Sequence, residues 1–310
     1  MLLAEPLPTP SRATPRRTPS PPTPTAPVCV SISGLRVGYG AKPVLSGADL
    51  QVTAGSRTVV LGANGSGKTT LLRCVAGDRQ PDAGEVAVCG LRLDRAGVDL
   101  PAYQKLVRLV GTQPPGDHAG VDVFSEVASG PAESGLNPNT VRDRVEEALD
   151  LLYLADVAGR QLGELSYGER KRVALAGAVA SRPAVVLLDE PTEGLDARGR
   201  SRLIAALQLL TEESVTLVVA THDADFALSW AESVAVIEAG RIRYGEPLAL
   251  LTDSRLVSGS GLRKPLVVRV LAGLGENPEG VTDVLGLVGR LGDLLDAHDA
   301  AAGAFPARRT

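Results

Sequence analysis

Apolar runs too short to form helices recur along the chain, and segments with a helical pattern separate them. The first run alternates with polar residues, whereas the later ones are almost entirely apolar. Because strands buried on both faces are apolar throughout, this pattern predicts an α/β fold with a mostly parallel central sheet. The predicted strands are Val28–Ile32, Val59–Leu61, Leu106–Val110, Ala184–Leu188, Thr216–Ala220 and Val234–Ile237, and the first predicted helix is Thr69–Ala76.

Three segments depart from this alternation. Residues 1–27 hold nine of the 22 prolines, with Ser and Thr between them, and have too few apolar side chains to build a core. We therefore predict a disordered tail there. Residues from about 119 to 180 are rich in helix formers and predict a helical subdomain. The pattern becomes irregular after Gly245, which indicates a main domain over 28–245 and an accessory segment over 246–310.

Composition and charge narrow the class of protein. The chain has 32 basic and 36 acidic residues, a net charge of −4, which argues against nucleic-acid binding because phosphate neutralisation needs a basic surplus. No apolar stretch approaches the 18 or so residues of a membrane span, and the first residues lack the pattern of a signal peptide. Three cysteines without C-x-x-C spacing exclude a disulfide framework and a Cys-ligated zinc module. We expect a soluble, cytoplasmic protein.

A glycine-rich turn links the strand Val59–Leu61 to the helix Thr69–Ala76. From Gly62 to Thr69 it fits G-x-x-x-x-G-K-[ST], the phosphate-binding P-loop. Glycines let successive backbone N–H groups turn inward around an anion, and the helix start favours negative charge. Lys68 is expected to contact the β- and γ-phosphates, and the Thr69 hydroxyl to bind Mg²⁺. The predicted nucleotide-binding residues here are Gly62, Asn64, Gly65, Ser66, Gly67, Lys68, Thr69 and Thr70.

Two carboxylates follow the strand Ala184–Leu188. Asp189, at the end of a strand beside the P-loop, can hold Mg²⁺ through water, which is the role called Walker B. Glu190 is then expected to polarise the water that attacks the γ-phosphate, as a general base. Alone, the two acids could also cap a helix before Pro191, but a P-loop in the same chain favours the catalytic interpretation.

Further motifs, in their order along the chain, resemble those of the ATP-binding-cassette (ABC) ATPases. Residues 165–169, Leu-Ser-Tyr-Gly-Glu, are similar to the family's signature motif, usually Leu-Ser-Gly-Gly-Gln. Residues 193–196 resemble the D-loop and residues 221–223 the switch-histidine motif. Gln113 resembles the Q-loop glutamine, and Tyr39 precedes the P-loop by about the distance of the family's adenine-stacking aromatic residue.

The resemblance implies a fold, cofactors and residue roles. The fold would be a P-loop NTPase cassette with a mostly parallel core sheet, an antiparallel β part and a helical subdomain. The chain would bind and hydrolyse ATP with Mg²⁺. Catalysis would depend on Glu190 and His222, and the metal on Thr69, Gln113 and Asp189. Outside the P-loop, the nucleotide contacts would come from Tyr39, Gln113, Ser166, Gly168 and Asp196.

The signature motif departs from the family pattern at two positions. Tyr167 stands where the family usually has glycine, and Glu169 where it usually has glutamine. Ser166 and Gly168, which the family uses on the γ-phosphate of the opposing subunit's ATP, are retained. Tyr167 is therefore expected to point away from the nucleotide.

Partners also follow from the resemblance. In the family, each ATP lies between the P-loop of one subunit and the signature motif of another. This chain carries one of each, which implies a second ABC ATPase subunit, either identical or related. It also implies an integral membrane transport subunit, contacted through Gln113 and the helical subdomain, and therefore a peripheral position on the inner face of the cell membrane.

A finer resemblance points to the ATPase components of energy-coupling-factor importers, which take up cobalt, nickel or vitamins. It rests on Gly130-Pro131 and on the stretches 144–149, 172–177 and 261–271. An ordinary importer ATPase with a separate permease is the alternative. A non-transport ABC ATPase is disfavoured because only 51 residues separate Gln113 from Leu165, too few for a long coiled coil. Intact Lys68, Asp189, Glu190 and His222 disfavour a regulatory cassette without activity. These motifs carry no information about the cargo.

Overall fold

The computed structural model describes residues 27–93, 99–113 and 120–303, with the side chains of 297–303 left out. Apart from Pro27, the predicted disordered tail lies outside the described residues.

The described residues form ten strands in two sheets. Four of the six predicted strands are found with ends that shift by at most one residue. The strand predicted at Val59–Leu61 begins two residues earlier, at Arg57, and the first strand is longer than the sequence pattern indicates. The strands are β1 (Val28–Tyr39), β2 (Lys42–Thr53), β3 (Arg57–Leu61), β4 (Ala83–Val88), β5 (Leu91–Arg92), β6 (Val107–Val110), β7 (Val185–Asp189), β8 (Thr216–Thr221), β9 (Ser233–Glu238) and β10 (Arg241–Gly245).

The helices of the described residues fall into three groups: those next to the loops of the larger sheet, those of the insertion, and those of the C-terminal segment. They are α1 (Lys68–Ala76), α2 (Leu100–Leu106), α3 (Val123–Glu133), α4 (Pro138–Leu151), α5 (Tyr167–Ala180), α6 (Ala197–Glu212), α7 (Ala224–Trp230), α8 (Pro247–Thr252), α9 (Ser254–Gly259), α10 (Leu266–Gly273) and α11 (Val284–Gly303). Helices α3, α4 and α5 form the predicted helical insertion.

The larger sheet lies at the centre of the fold. Its strand order is β10-β9-β3-β8-β7-β6, and all neighbours are parallel except β10, which runs antiparallel to β9. The smaller sheet has the order β2-β1-β4-β5 and is antiparallel throughout. The prediction of an α/β cassette with a mostly parallel core sheet and an antiparallel β part is confirmed.

Both faces of the larger sheet are buried. In β3, Val59 and Leu61 pack into a core shared with the helical insertion and the C-terminal helices, whereas Val60 packs into a second core between the two sheets and α1. Since each successive residue of β3 lies in one core or the other, its sequence is apolar without alternation.

The C-terminal segment packs on the same core as the helical insertion. Leu251, Leu256, Val268 and Leu271, from α8, α9 and α10, are buried there. The turn after α9 also reaches the P-loop, where the carbonyl of Ser260 accepts a hydrogen bond of 3.2 Å from the N–H of Ala63. Within the described ranges, no helix combines the length and the apolar character that crossing a bilayer requires.

Candidate active site

The loops that follow three neighbouring strands of the larger sheet lie at the same edge of that sheet. Strand β3 leads into the P-loop, β7 into Glu190 and β8 into His222. Because parallel strands have their carboxyl ends at the same edge, these loops meet although they are distant in sequence. A cleft of about 820 Å³ opens there, within the size range of small-molecule sites. Its lining includes Tyr39, residues 64–70, Thr112, Asp189, Glu190 and Glu193.

The P-loop turns into α1 at Gly67. This residue has a φ of 109°, which disfavours any residue with a side chain, and a Cβ there would lie 2.8 Å from Cγ1 of Val44. Helix α1 begins at Lys68 directly behind the turn, so its first N–H groups face the cleft end of the sheet. Ser66 Oγ is buried without a hydrogen-bond partner among the described residues. The loop therefore has the backbone form and the free polar groups of an anion site.

The amine of Lys68 lies inside the loop. The residue is 6% exposed, and Nζ donates to the carbonyls of Gly62, at 2.8 Å, and Ala63, at 3.2 Å. Nζ also lies 3.4 Å from Oε1 of Glu190. The positive charge is thus held between the P-loop and the carboxylate that follows β7.

Asp189 and Thr69 form the predicted metal-binding pair. The Thr69 hydroxyl donates to Oδ2 of Asp189 at 2.7 Å, and the Thr112 hydroxyl donates to the same oxygen at 3.1 Å. The other oxygen, Oδ1, is buried without a hydrogen-bond partner among the described residues. Buried polar atoms are normally paired, so this oxygen has capacity for a bound water or ion. Carboxylate and hydroxyl oxygens are the ligands that Mg²⁺ prefers, and the residues present therefore fit a magnesium ion.

Glu190 is held at several points. It is 8% exposed, and Oε2 accepts a hydrogen bond of 2.8 Å from the Thr221 hydroxyl. Its Oε1 lies 3.1 Å from Nδ1 of His222, which leaves Nε2 of that ring free for another contact. The backbone of Glu190 has a φ of 45°, in the left-handed region. Residues other than glycine take this conformation mainly where the surrounding structure enforces it, often at functional sites.

Tyr39 lies at the rim of the cleft. It is 50% exposed, and its hydroxyl lies 3.5 Å from Oγ1 of Thr70 in α1. The guanidinium of Arg79 lies over its ring, 4.2 Å from the centroid. This cation–π contact orients the ring beside the P-loop. An aromatic ring so placed can stack on a base.

The signature residues line a different cleft, of about 300 Å³. Ser166 is the N-cap of α5, and a capping box joins it to Glu169: the Glu169 N–H donates to Oγ of Ser166 at 3.3 Å, and the Ser166 N–H donates to Oε2 of Glu169 at 2.8 Å. The Ser166 hydroxyl also donates to Oε2 of Glu169, at 2.7 Å. The hydrogen bond from the Ser166 hydroxyl lowers the pKa of the Glu169 carboxyl, which is therefore ionised. The signature cleft is lined by Ser166, Tyr167, Gly168, Glu169, Arg172, Gly194, Leu195, Asp196, Arg198, Gly199 and Arg202. It shares no residue with the P-loop cleft.

The predicted site residues therefore fall into two groups and one outlier. Tyr39, Asp189, Glu190 and all predicted P-loop residues except Gly62 line one cleft, and His222 contacts it through Glu190. Ser166, Gly168 and Asp196 share the other, where Asp196 also caps α6 by accepting from the N–H of Gly199 at 2.7 Å.

Gln113 is the outlier. It is exposed and lines neither cleft, and the residue of its loop that reaches Asp189 is the neighbouring Thr112. Its proposed contact with the metal stays a prediction.

Tyr167 lines the signature cleft and is 37% exposed, so the expectation that it points away from the nucleotide stays a prediction. Its hydroxyl lies 3.4 Å from the carbonyl oxygen of Thr112, and its ring packs against Gly194. A Cβ added to Gly194 would lie 2.9 Å from Cε1 of the ring, which leaves no room for a side chain there. The ring thus leans toward the P-loop side of the chain.

Sequence reasoning missed four residues that the structure places at the site: Thr112, Thr221, Arg79 and Lys171. Thr221 belongs to a recognised motif, but its contact with Glu190 depends on the pairing of β7 with β8. Thr112 and Arg79 carry no signal in the sequence. Lys171 lies in the basic run 170–172, and nothing in the sequence indicates that it is buried, at 5% exposed.

The comparisons agree with this geometry. The family model described as ABC transporter matches residues 45–193. The Cobalt import ATP-binding protein CbiO of Rhodobacter capsulatus is 39% identical over 74% of this chain and 82% of its own length. The Energy-coupling factor transporter ATP-binding protein EcfA of Carboxydothermus hydrogenoformans is 36% identical over 78% of this chain and 90% of its own.

A solved structure leads to the same family. The cbiO1 protein of Clostridium perfringens, described as part of the ABC transporter complex cbiONQ, superimposes with a TM-score of 0.66 at 27% identity. The match covers 79% of this chain and 99% of that one.

The cassette fold and the P-loop cleft define an ATP-hydrolysing P-loop protein. More narrowly, the chain belongs to the ABC transporter family and is an ATP-binding, ATP-hydrolysing subunit that powers membrane transport. The predicted resemblance to energy-coupling-factor ATPases is confirmed by these relatives.

Proposed function

We propose that the chain drives an importer of the energy-coupling-factor type for a metal ion or vitamin, by closing around ATP as a dimer and opening after hydrolysis. The observation that supports a dimer is that the P-loop cleft and the signature cleft are separate within one chain. The P-loop and Glu190 line one, whereas Ser166 and Gly168 line the other. An ATP held by one chain therefore meets signature residues only if a second chain supplies them.

In the proposed mechanism, the P-loop amides and Lys68 bind the phosphates, and Tyr39 stacks on the adenine. Lys68 exchanges its contacts with the carbonyls of Gly62 and Ala63 for phosphate oxygens. Thr69 and Asp189, with Gln113, would hold Mg²⁺, which when bound neutralises charge on the phosphate oxygens.

Glu190 is the proposed general base. Its carboxylate is oriented by Thr221 and His222, so that it can accept a proton from the attacking water. Nε2 of His222, the ring nitrogen that does not contact Glu190, is available to the γ-phosphate. In the closed dimer, the Ser166 hydroxyl and the start of α5 would contact the γ-phosphate of the partner's ATP. Loss of the γ-phosphate removes those contacts, and the dimer opens.

The relatives favour the importer type. CbiO is named for cobalt import and EcfA for an energy-coupling-factor transporter. We infer that this chain docks on a separate integral membrane subunit through Gln113 and the helical insertion, and so lies on the inner face of the membrane. An ordinary ABC importer is the alternative, because a relative of that kind, the Fe(3+) ions import ATP-binding protein FbpC of Pseudomonas fluorescens, is 39% identical over 73% of this chain.

Mixing two inactive variants tests the dimer. Lys68→Ala removes the P-loop amine, and Ser166→Arg blocks the signature face, so each should lose ATP hydrolysis alone. A mixed dimer has one intact composite site, which combines the P-loop of the Ser166→Arg chain with the signature motif of the Lys68→Ala chain. At equal concentrations we expect recovery of at most about a quarter of the wild-type rate, because half of the dimers are mixed and each has one working site, and any coupling between the two sites lowers this figure.

The matched control is a mixture of Lys68→Ala with the double variant Lys68→Ala/Ser166→Arg, which leaves no intact P-loop. Recovery in the first mixture but not in the control supports composite sites. If both mixtures stay inactive while both variants are folded, ATP is handled within one chain, and the dimer proposal is wrong.

A further inference from the structure

Lys171 is a buried lysine in the second turn of α5. The residue is 5% exposed, and its Nζ lies 2.9 Å from the carbonyl oxygen of Glu190, 2.7 Å from that of Glu193 and 3.4 Å from that of Pro191. A buried ammonium is costly unless its donors are satisfied, and these carbonyls satisfy them. Burial lowers the pKa of Lys171. The amine is therefore a structural clamp on one short stretch of backbone.

That stretch follows the catalytic carboxylate directly. Glu190 has a φ of 45°, and the chain then turns through Pro191 into the D-loop residues at 193–196. The side chain of Glu190 is held by Lys68, Thr221 and His222, whereas its carbonyl is held by Lys171. Two lysines from different helices thus fix the same residue, one at its carboxylate and one at its backbone.

Tyr167, one turn earlier on α5, covers this clamp. Nζ of Lys171 lies 5.3 Å from the centre of the Tyr167 ring, and the ring packs against Gly194 of the D-loop. The Tyr167 hydroxyl lies 3.4 Å from the carbonyl of Thr112, whose own hydroxyl donates to Asp189. One face of α5 therefore contacts the backbone at Glu190 directly and is linked to the carboxylate of Asp189 through Thr112.

We propose that Lys171 is a positioning residue that couples the two ATP sites of the dimer, by tying the backbone of Glu190 and Glu193 to the helix whose first turn binds the partner's ATP. This inference rests on the proposed function, because it needs a nucleotide at the signature face. Helix α5 begins immediately after Ser166, so a nucleotide that seats Ser166 also seats Lys171. Rigid helices transmit such placement over one or two turns, and Glu190 is then set in one chain by ATP bound in the other.

Replacing Lys171 with methionine tests the inference. Methionine keeps an unbranched chain that fills the space but cannot donate to the carbonyls. We expect the affinity of the P-loop for a fluorescent ATP analogue to stay within about twofold of wild type, because no contact with the phosphates is lost. We expect kcat to fall about 10²-fold, because small misplacements of a catalytic group cost that much. The Hill coefficient for ATP should fall from about two toward one.

Two further variants separate positioning from folding. Lys171→Arg keeps the cation and its donors and should recover most of the lost kcat, which loss of folded protein would not allow. Lys105→Met is the matched control, since Lys105 is exposed in α2, and it should behave as wild type. Thermal unfolding of each variant should accompany the kinetics.

Two results would overturn the role of Lys171. One is wild-type kcat and cooperativity in Lys171→Met, and the other is a parallel loss of nucleotide affinity and kcat, which marks a merely structural residue. Both leave the dimer intact as a proposal, because ATP-dependent dimerisation of Glu190→Gln is measured separately. If Glu190→Gln stays monomeric with ATP, the proposed function and the coupling inference fail together.

Discussion

Lys68→Ala is expected to abolish ATP binding. The Lys68 amine is the buried cation of the P-loop cleft, held 2.8 Å from the carbonyl of Gly62 and 3.4 Å from Oε1 of Glu190. Without the Lys68 amine, the negative charge of Glu190 is no longer offset by a lysine 3.4 Å away and repels the triphosphate. Hydrogen bonds to charged groups contribute about 1.5–3 kcal/mol each, so losing two of them weakens binding by about 10²–10⁴-fold.

The measurement is a titration with a fluorescent ATP analogue. Lys105→Ala is the matched control, because Lys105 is exposed at the end of α2, and it should bind nucleotide as wild type does. Unchanged affinity in a folded Lys68→Ala protein would contradict the P-loop assignment and with it the whole description of the cleft.

Glu190→Gln is expected to bind ATP, hydrolyse it very slowly and accumulate as an ATP-bound dimer. Glutamine has nearly the same shape and can still accept from the Thr221 hydroxyl, which lies 2.8 Å from Oε2 of the carboxylate. An amide cannot take a proton from the attacking water, so the rate should fall by about 10²–10⁴-fold, the usual contribution of a general base. Since opening of the dimer follows hydrolysis, the closed state should persist.

Hydrolysis rates and size-exclusion chromatography with ATP and with ADP measure these two effects. Glu212→Gln is the matched control, because Glu212 is exposed at the end of α6 and outside both clefts. It should hydrolyse normally and show no trapped dimer. A Glu190→Gln protein that turns over ATP like wild type, or that elutes only as a monomer with ATP, would contradict the proposed role.

The fold was largely predictable because strand and loop signals were local. Fully apolar runs identified β3, β7, β8 and β9, and the glycine pattern identified the turn from β3 to α1. The predicted strand at Leu106–Val110 begins instead at Val107, because Leu106 ends α2, which starts at an N-cap provided by Asp99. Apolar periodicity alone does not separate a helix end from the strand that follows directly.

The sequence predicted those site residues whose side-chain type the chemistry requires. It did not predict the residues whose role depends on tertiary contacts. Lys68, Asp189 and Glu190 have side chains that the chemistry requires, so their motifs stand out. Lys171 acts through backbone carbonyls at 2.7–3.4 Å, and such contacts depend on how α5 packs against the end of β7. Ser260, whose carbonyl holds the N–H of Ala63, is likewise placed by tertiary packing of the C-terminal segment. Neither contact leaves a pattern in the sequence.

The central claim is that ATP-driven closure of this subunit powers a membrane importer. The most direct test is an affinity pull-down of tagged Glu190→Gln protein from detergent-solubilised membranes of the source organism, with ATP present and with the Lys68→Ala protein as a control. Mass spectrometry should identify an integral membrane protein with several spans, together with a small substrate-binding membrane protein, enriched over the control. Recovery of only soluble or ribosomal proteins would contradict a role in transport.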